Sequence, residues 1–167
     1  MCLFAIKKIM KKTFSVLLAF FAFFLFIGCS KSVIFDEKIT FPDANWAFEN
    51  KVITFKAPLE ASEKPYTIIL ELELLGTPNV DKFNTAFMIY TPKGARMDKL
   101  LLFNFEQPQE PYIQGKATNE KIYRLTVFPK KYFSETGDYT MVLHQLSHNA
   151  DNYPIRSLRI YIERVKE

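Results

Sequence analysis

The sequence predicts an all-β protein after residue 32: an antiparallel sandwich of two sheets, immunoglobulin-like or jelly-roll-like, with about eight strands. Short segments of alternating apolar and polar residues recur along this region, and clusters rich in Pro, Gly, Asn and Asp separate them. Ten Phe, eight Tyr and one Trp follow residue 28, an aromatic load that favours strands over helices. The same region shows no convincing amphipathic helix.

The clearest strand is predicted at Tyr66–Leu75, where apolar residues at every second position define one face. Glu71 and Glu73 lie on the other face, two residues apart, and resemble a catalytic pair of carboxylates. Solvated acids on strands are far commoner than such pairs, so we interpret both as surface residues. Further strands are predicted at 33–41, 51–56 (closed by Pro58), 85–91, 97–105, 121–128, 137–145 and 157–165.

Turn signals between these segments support the sandwich. Pro92-Lys-Gly94 predicts a tight turn, because proline fixes φ near about −65° and glycine accepts positive φ two residues later. Glu135-Thr-Gly-Asp-Tyr139 resembles the tyrosine corner of immunoglobulin-like sandwiches, in which the tyrosine hydroxyl bonds back to the preceding loop. Residues 106–120 form the longest connection. They are the best place for a binding loop, and an exposed crossover between sheets is the alternative.

Residues 1–28 are interpreted as a lipoprotein signal peptide. Four lysines between Lys7 and Lys12 precede the apolar run Phe14–Ile27, and Gly28-Cys29 follows directly as the cleavage site. A retained transmembrane anchor and an ordinary signal peptide with a chance cysteine are the alternatives. We expect Cys29 to be the lipidated first residue of the mature protein, residues 29–32 to form a tether, and 33–167 to form a single sandwich domain.

Removal of the signal peptide changes which functions the composition permits. The remaining chain has 18 Lys and Arg against 18 Asp and Glu, so no net positive field favours nucleic acid. Cys29 is then the only cysteine, and acylation consumes its thiol, which leaves no nucleophilic thiolate. His144 and His148 are four residues apart, about 13 Å on a strand, too far to bind one metal ion. We predict a non-enzymatic protein without metal or cofactor.

Several features together resemble the gliding-motility lipoproteins named GldH in Bacteroidetes. They are the lipoprotein signal, the early Trp46 before a strand, the turn at Pro92, the strand Gly137–Gln145 and an Ile-rich C-terminal strand. The resemblance spans nearly all of the mature chain, and Cys29 is the residue it carries across as functional.

This resemblance implies a membrane-anchored, non-catalytic accessory component that supports gliding motility and the associated protein secretion. Its expected partners are other envelope proteins of a motility or secretion apparatus. Ser30, rather than an aspartate, follows the lipidated cysteine, which favours the outer membrane as the location. An accessory role of this kind predicts an exposed apolar or aromatic patch on one sheet face or edge.

A glycan-binding surface or periplasmic lipoprotein is the alternative function. Sugars stack on exposed aromatic rings, and the aromatic residues of this chain are numerous. This alternative requires several of Trp46, Tyr112, Tyr132 and Tyr153 to be exposed and coplanar.

Replacement of Cys29 by alanine tests the lipid anchor. Because alanine has no thiol to acylate, the variant should incorporate no labelled palmitate and should leave the membrane fraction of envelope extracts. Cys2→Ala is the matched control and should be labelled like the wild type, since Cys2 lies in the signal peptide. Palmitate labelling that survives in Cys29→Ala would contradict the assignment.

Overall fold

A computed structural model describes residues 33–46, 52–110, 113–115, 119–147 and 154–165. The described residues all belong to one compact unit, Lys31–Glu167. Cys29, with the predicted signal peptide and tether, lies outside the described residues. Among the residues that are described, no helix has the length and apolar character needed to span a membrane.

The described residues form nine strands and one short 3-10 helix, Pro42–Ala44. Eight of the strands are long, whereas β6 has two residues. The strands are β1 (Val33–Thr40), β2 (Val52–Leu59), β3 (Tyr66–Leu75), β4 (Lys82–Tyr90), β5 (Arg96–Asn104), β6 (Ile113–Gln114), β7 (Glu120–Lys131), β8 (Gly137–Gln145) and β9 (Ile155–Arg164).

Two antiparallel sheets pack face to face. The first sheet has the order β1-β9-β3-β7-β6, and the second has the order β2-β8-β4-β5. The eight long strands therefore form two four-stranded sheets, and β6 adds a short strand at the edge of the first. This is the order of a jelly roll. The predicted all-β sandwich is confirmed, and the strand order favours the jelly-roll form over the immunoglobulin-like one.

Strand β3 lies at the centre of the first sheet, with the bounds that the alternation predicts. Leu70, Leu72 and Leu74 are fully buried between the sheets. The prediction that Pro58 closes the second strand is wrong, because β2 continues through it to Leu59. Within the described ranges, β2 is an edge strand whose one partner is β8, so a residue without an N–H can be accommodated on its open side.

Aromatic rings close the far end of the sandwich, which is the end at which β1 finishes and β4 begins. Phe41 stacks on Trp46 with 5.4 Å between ring centroids, and Trp46 contacts Phe83 at 5.5 Å. Phe83 in turn contacts Phe103 near the end of β5, at 6.3 Å. These rings connect the chain leaving the first sheet to two strands of the second.

A second aromatic cluster closes the near end, at which β1 begins and β9 finishes. Phe133 contacts Tyr139 at 4.6 Å and Tyr66 at 5.4 Å between ring centroids. The Tyr139 hydroxyl donates a 2.9 Å hydrogen bond to the carbonyl oxygen of Glu135, four residues upstream. The predicted tyrosine corner is therefore formed, although in a jelly roll.

The turn at Pro92 is also formed as predicted. The Gly94 N–H donates to the Thr91 carbonyl at 2.9 Å, and Gly94 has φ +86°. The ring of Pro92 packs closely on Gly137, where a Cβ would lie 2.9 Å from Pro92 Cγ. Gly137 has φ +145°, so both its conformation and its surroundings favour glycine.

Tyr139→Phe tests the contribution of the tyrosine corner. The substitution keeps the packed ring and removes one hydrogen bond, so we expect the free energy of unfolding to fall by about 1 kcal/mol. Urea denaturation would measure it. Tyr132→Phe is the control, because the Tyr132 side chain is 58% exposed and should contribute little. Equal stability of the two variants would contradict a structural role for the corner.

Candidate functional site

A shallow groove of about 720 Å³ lies on the outer face of the first sheet and extends to the near end. Outward-facing side chains of β1, β9, β3 and β7 line it, together with Glu110 from the loop after β5. Val33 and Val165, at the start of β1 and just after β9, line its near end. Its polar lining includes Asp36, Glu71, Glu110, Arg124, Arg159 and Tyr161.

Strand register places Glu71 between two arginines. Arg124 of β7 and Arg159 of β9 are its direct cross-strand partners. Arg124 Nη2 and Nε donate to Glu71 Oε1 at 2.7 and 3.0 Å, and Arg159 Nη1 lies 3.4 Å from Oε2. Glu71 is only 7% exposed, so its interpretation as a solvated surface residue is wrong. The alternation assigned the correct face, but long side chains from neighbouring strands cover the carboxylate.

Glu73 is covered in the same way and is 8% exposed, which makes its surface interpretation wrong too. Its Oε2 accepts from Lys38 Nζ at 2.6 Å and from Ser157 Oγ at 2.7 Å, while Arg156 Nη1 lies 3.7 Å from Oε1. Burial by itself raises the pKa of this carboxyl. The hydrogen bonds from Lys38 and Ser157, with the charges of Lys38 and Arg156, outweigh burial and lower the pKa below its usual value of 4.5.

Asp36 of β1 extends the network to the edge of the sheet. Arg159 holds it in a two-pronged pair, with Nε–Oδ1 at 2.7 Å and Nη2–Oδ2 at 2.5 Å. The hydrogen bond from Arg159 lowers the pKa of Asp36. Arg159 thus bridges Asp36 and Glu71, and the planar groups on the groove floor are fixed by one another.

Tyr161 lies beside this row on β9 and is mostly buried. The guanidinium carbons of Arg159 and Arg124 lie over its ring, 5.4 and 5.8 Å from the centroid. Burial and the charge of Glu71 raise the pKa of Tyr161 to about 12. The hydroxyl therefore stays protonated at neutral pH, 3.4 Å from Glu71 Oε1, and the arginines restrict access to the ring.

Of the described residues in the predicted binding loop, Glu110 reaches the groove. Glu110 Oε1 accepts a 2.8 Å hydrogen bond from the Thr126 hydroxyl on β7. Tyr112, which follows closely in the same loop, lies outside the described residues. The 106–120 connection therefore supplies a carboxylate to the groove.

Of the four aromatic residues proposed for stacking on sugars, the structure describes Trp46 and Tyr132, and these two do not form a platform. Trp46 is 1% exposed and packs in the core, so it cannot belong to the exposed platform that the glycan-binding alternative requires. The Trp46 ring is buried because it fills the far end of the sandwich between Phe41 and Phe83. Tyr132 is exposed, whereas Tyr112 and Tyr153 lie outside the described residues.

The histidines provide no evidence for a metal centre. His144 is half-buried on the outer face of β8, as predicted, and His148 lies outside the described residues. In the part of the chain that the structure describes, no three His, Cys, Asp or Glu residues are grouped to hold a metal ion.

The carboxyls of Asp36 and Glu73 have lowered pKa values, which suits ion pairing and not general-acid chemistry.

A second surface, the apolar patch, lies on the outer face of the second sheet toward the far end. Register aligns Val52, His144, Ala86 and Leu100 in one row across its four strands. Leu102 and Leu146 flank Asn84 in the next row. Leu100 is 77% exposed and Leu102 47% exposed. We define the apolar patch as Val52, Ala86, Leu100, Leu102 and Leu146.

The patch borders an open strand edge. Among the described strands, β5 pairs with β4 alone, so the other edge of its backbone has no strand partner. Edge strands in native proteins usually carry charge or proline, as β1 does at Asp36–Lys38 and β2 does at Pro58. Strand β5 is charged in its first half but has three consecutive leucines, Leu100–Leu102, in its second.

Comparisons with known proteins give distant likenesses of fold. No family model and no curated protein matches the chain. A carbohydrate-binding module, CBM28, specific for non-crystalline cellulose shares 12% identity at a TM-score of 0.40, over 78% of this chain and 72% of that one. A family GH115 4-O-methyl-α-glucuronidase specific for decorated arabinogalactans shares 9% at 0.42, over 83% of this chain and 18% of the enzyme. Similarity at this level does not indicate a shared ligand or activity.

The lowered pKa of Glu73 predicts how stability depends on pH. A carboxyl that binds its proton less readily in the folded state stabilises the fold above its unfolded pKa, and this stabilisation is lost as pH falls through the folded pKa. Glu73→Gln should therefore be less stable than the wild type by about 1–2 kcal/mol at neutral pH. The difference should shrink well below pH 4.5, the usual pKa of this group.

Urea denaturation across this pH range would measure the effect. Glu63→Gln is the matched control, because Glu63 is exposed outside the network. Its replacement should leave the dependence of the free energy of unfolding on pH unchanged. A constant difference between Glu73→Gln and wild type at all pH values would contradict a role for the ionised carboxylate.

Proposed function

We propose that this protein is a membrane-anchored, non-catalytic lipoprotein of the cell envelope, in the outer membrane, that supports gliding motility and the associated protein secretion by binding another envelope protein. The lipoprotein signal ending at Cys29 and the resemblance to the GldH lipoproteins support the location and the process. The observation that carries the binding role is the apolar patch on the second sheet.

The patch has the character of a protein-binding surface. Contiguous exposed apolar residues on a folded domain often mark an interaction site, whereas single ones are ordinary. Here Leu100 and Leu102 are exposed two residues apart on β5, and Ala86 lies beside Leu100 on β4. Leu146 and Val52 lie farther across the same face, with His144 between Val52 and Ala86. A partner side chain can therefore contact several apolar groups at once.

The open edge of β5 defines the kind of partner. An added strand would pair its backbone with the free N–H and C=O groups of β5, and its alternate side chains would pack beside Leu100 and Leu102. We therefore propose a partner that presents an extended segment with apolar residues at alternate positions. The charged first half of β5, with the ion pair between Arg96 and Asp98, would limit where that segment pairs.

The position of the patch suits a tethered protein. Strand β1 begins at the near end, where Val33 pairs with Glu163. The patch lies toward the far end, where the Leu146 N–H bonds to Asn84 at the start of β4. A lipid anchor that precedes β1 would therefore leave the patch at the end of the domain away from its attachment.

Photo-crosslinking in cells would test the partner. A photoreactive amino acid at Leu100 of the full-length lipoprotein should form reproducible links to a motility or secretion component, identified by mass spectrometry. The same group at Thr54, exposed on the same sheet face but on β2, is the positional control. If the group at Leu100 forms no crosslink to any envelope protein, the proposal is contradicted.

The double variant Leu100→Glu/Leu102→Glu tests whether the contact matters. Two charges on the patch should abolish the crosslink and reduce gliding or secretion, because an apolar partner cannot be packed against carboxylates without a desolvation cost. Thr54→Glu adds a charge to the same face and should behave like the wild type. Normal gliding and secretion in the double variant, at wild-type protein levels, would count against the patch.

A further inference from the structure

We propose that the groove on the first sheet is a binding site for a neutral, hydroxyl-rich ligand, namely a short segment of a glycan chain. The site is on the opposite sheet from the apolar patch and does not depend on the proposed partner. It also differs from the aromatic platform that the glycan-binding alternative requires in the sequence analysis, because recognition would depend on hydrogen bonds rather than on stacked rings.

The dimensions of the groove suit a small ligand. Its volume of about 720 Å³ falls within the range of roughly 300–1,000 Å³ that small-molecule sites occupy. It is open along the sheet surface, and its floor crosses four strands. An open groove accommodates a piece of a longer chain, whose ends continue into solvent.

The charges of the groove are nearly balanced. Three guanidinium groups and four carboxylates line it, so a polyanion or a polycation would meet groups of its own sign. A sugar segment carries hydroxyls that both donate and accept, and it can use both kinds of group. These groups are Arg124, Arg159, Arg164, Asp36, Glu71, Glu110 and Glu163.

The polar groups are held in place before a ligand arrives. Arg159 is fixed by Asp36 on one side and contacts Glu71 on the other, and Glu71 also accepts from Arg124. Planar groups fixed in this way lose little conformational freedom on binding, which favours affinity. Each guanidinium has five N–H donors and each carboxylate about four acceptor positions, so the ion pairs leave capacity for ligand hydroxyls.

Hydroxyl side chains add contacts of the same kind. Thr126 donates to Glu110, and Thr67 donates to the carbonyl of Pro129 at 2.9 Å. Both threonines line the groove. A hydroxyl that donates one hydrogen bond keeps two lone pairs with which it can accept. Since Tyr161 is covered by arginines, stacking on its ring would contribute little.

Titration calorimetry of the full-length protein in mild detergent would test the proposal. The first probes are three neutral hexasaccharides: cellohexaose, xylohexaose and chitohexaose. The second probes are two kinds of vesicle, one containing complete lipopolysaccharide and the other containing lipid A without the polysaccharide. We expect binding to at least one hexasaccharide or to the polysaccharide-bearing vesicles alone, with a Kd that changes little between low and high salt. The first result indicates a free glycan and the second a membrane-borne one.

Two variants connect binding to the groove. Thr126→Val and Glu110→Ala each remove a polar group that could bind the ligand, and both leave the ion pairs of Arg159 and Arg124 in place. Each variant should weaken glycan binding about fivefold or more. Thr54→Val, on the outer face of the second sheet, and Glu63→Ala are matched controls that should bind normally. Thermal denaturation would verify that all four variants fold.

Absence of binding to every probe, equal binding to lipid A vesicles, or affinities unchanged in both groove variants would overturn the proposal. A steep loss of affinity with salt would also overturn it, because it would indicate a charged ligand. The Leu100→Glu/Leu102→Glu protein should keep wild-type glycan affinity, so failure of the glycan site and failure of the partner site remain distinguishable.

Discussion

The pairing of β3 with β9 and β7 is the constraint on which the rest of the structure depends. One face of β3 places leucines between the sheets, where burial of apolar area stabilises the sandwich. The other face places Glu71 and Glu73 among cations from the neighbouring strands β9 and β7 and from β1 at the edge of the sheet. A slip of one residue would exchange the two faces, burying carboxylates in the core and exposing leucines. The core and the ion-pair network therefore select the same register.

The ion pairs have a different role from the core. Bringing charged groups together out of water has a desolvation cost that offsets much of their attraction, so they are weak evidence for stability. Their geometry is nevertheless specific, since Arg159 contacts carboxylates on both neighbouring strands. We infer that this network contributes mainly to register and to the shape of the groove floor, while aromatic rings such as Trp46 and Tyr139 close the ends of the sandwich.

The two outer faces of the sandwich differ in chemistry. The first sheet presents fixed charges and hydroxyls in a groove, and the second presents exposed leucines beside an open edge. Both faces belong to the same jelly roll and lie outside its buried core. This division permits a tethered domain to hold a polar ligand on one side and a protein segment on the other, as proposed above.

The sequence by itself determined the fold class and most strands, because alternation and turn chemistry are local. Tyr66–Leu75, the turn at Pro92 and the corner at Tyr139 were all predictable from neighbouring residues. It also carries the predicted lipid site at Cys29, which the described residues do not include. The burial of Glu71 and the packing of Trp46 between Phe41 and Phe83 were not predictable. Both depend on which distant strands become neighbours, and a single sequence does not encode that pairing in a local pattern.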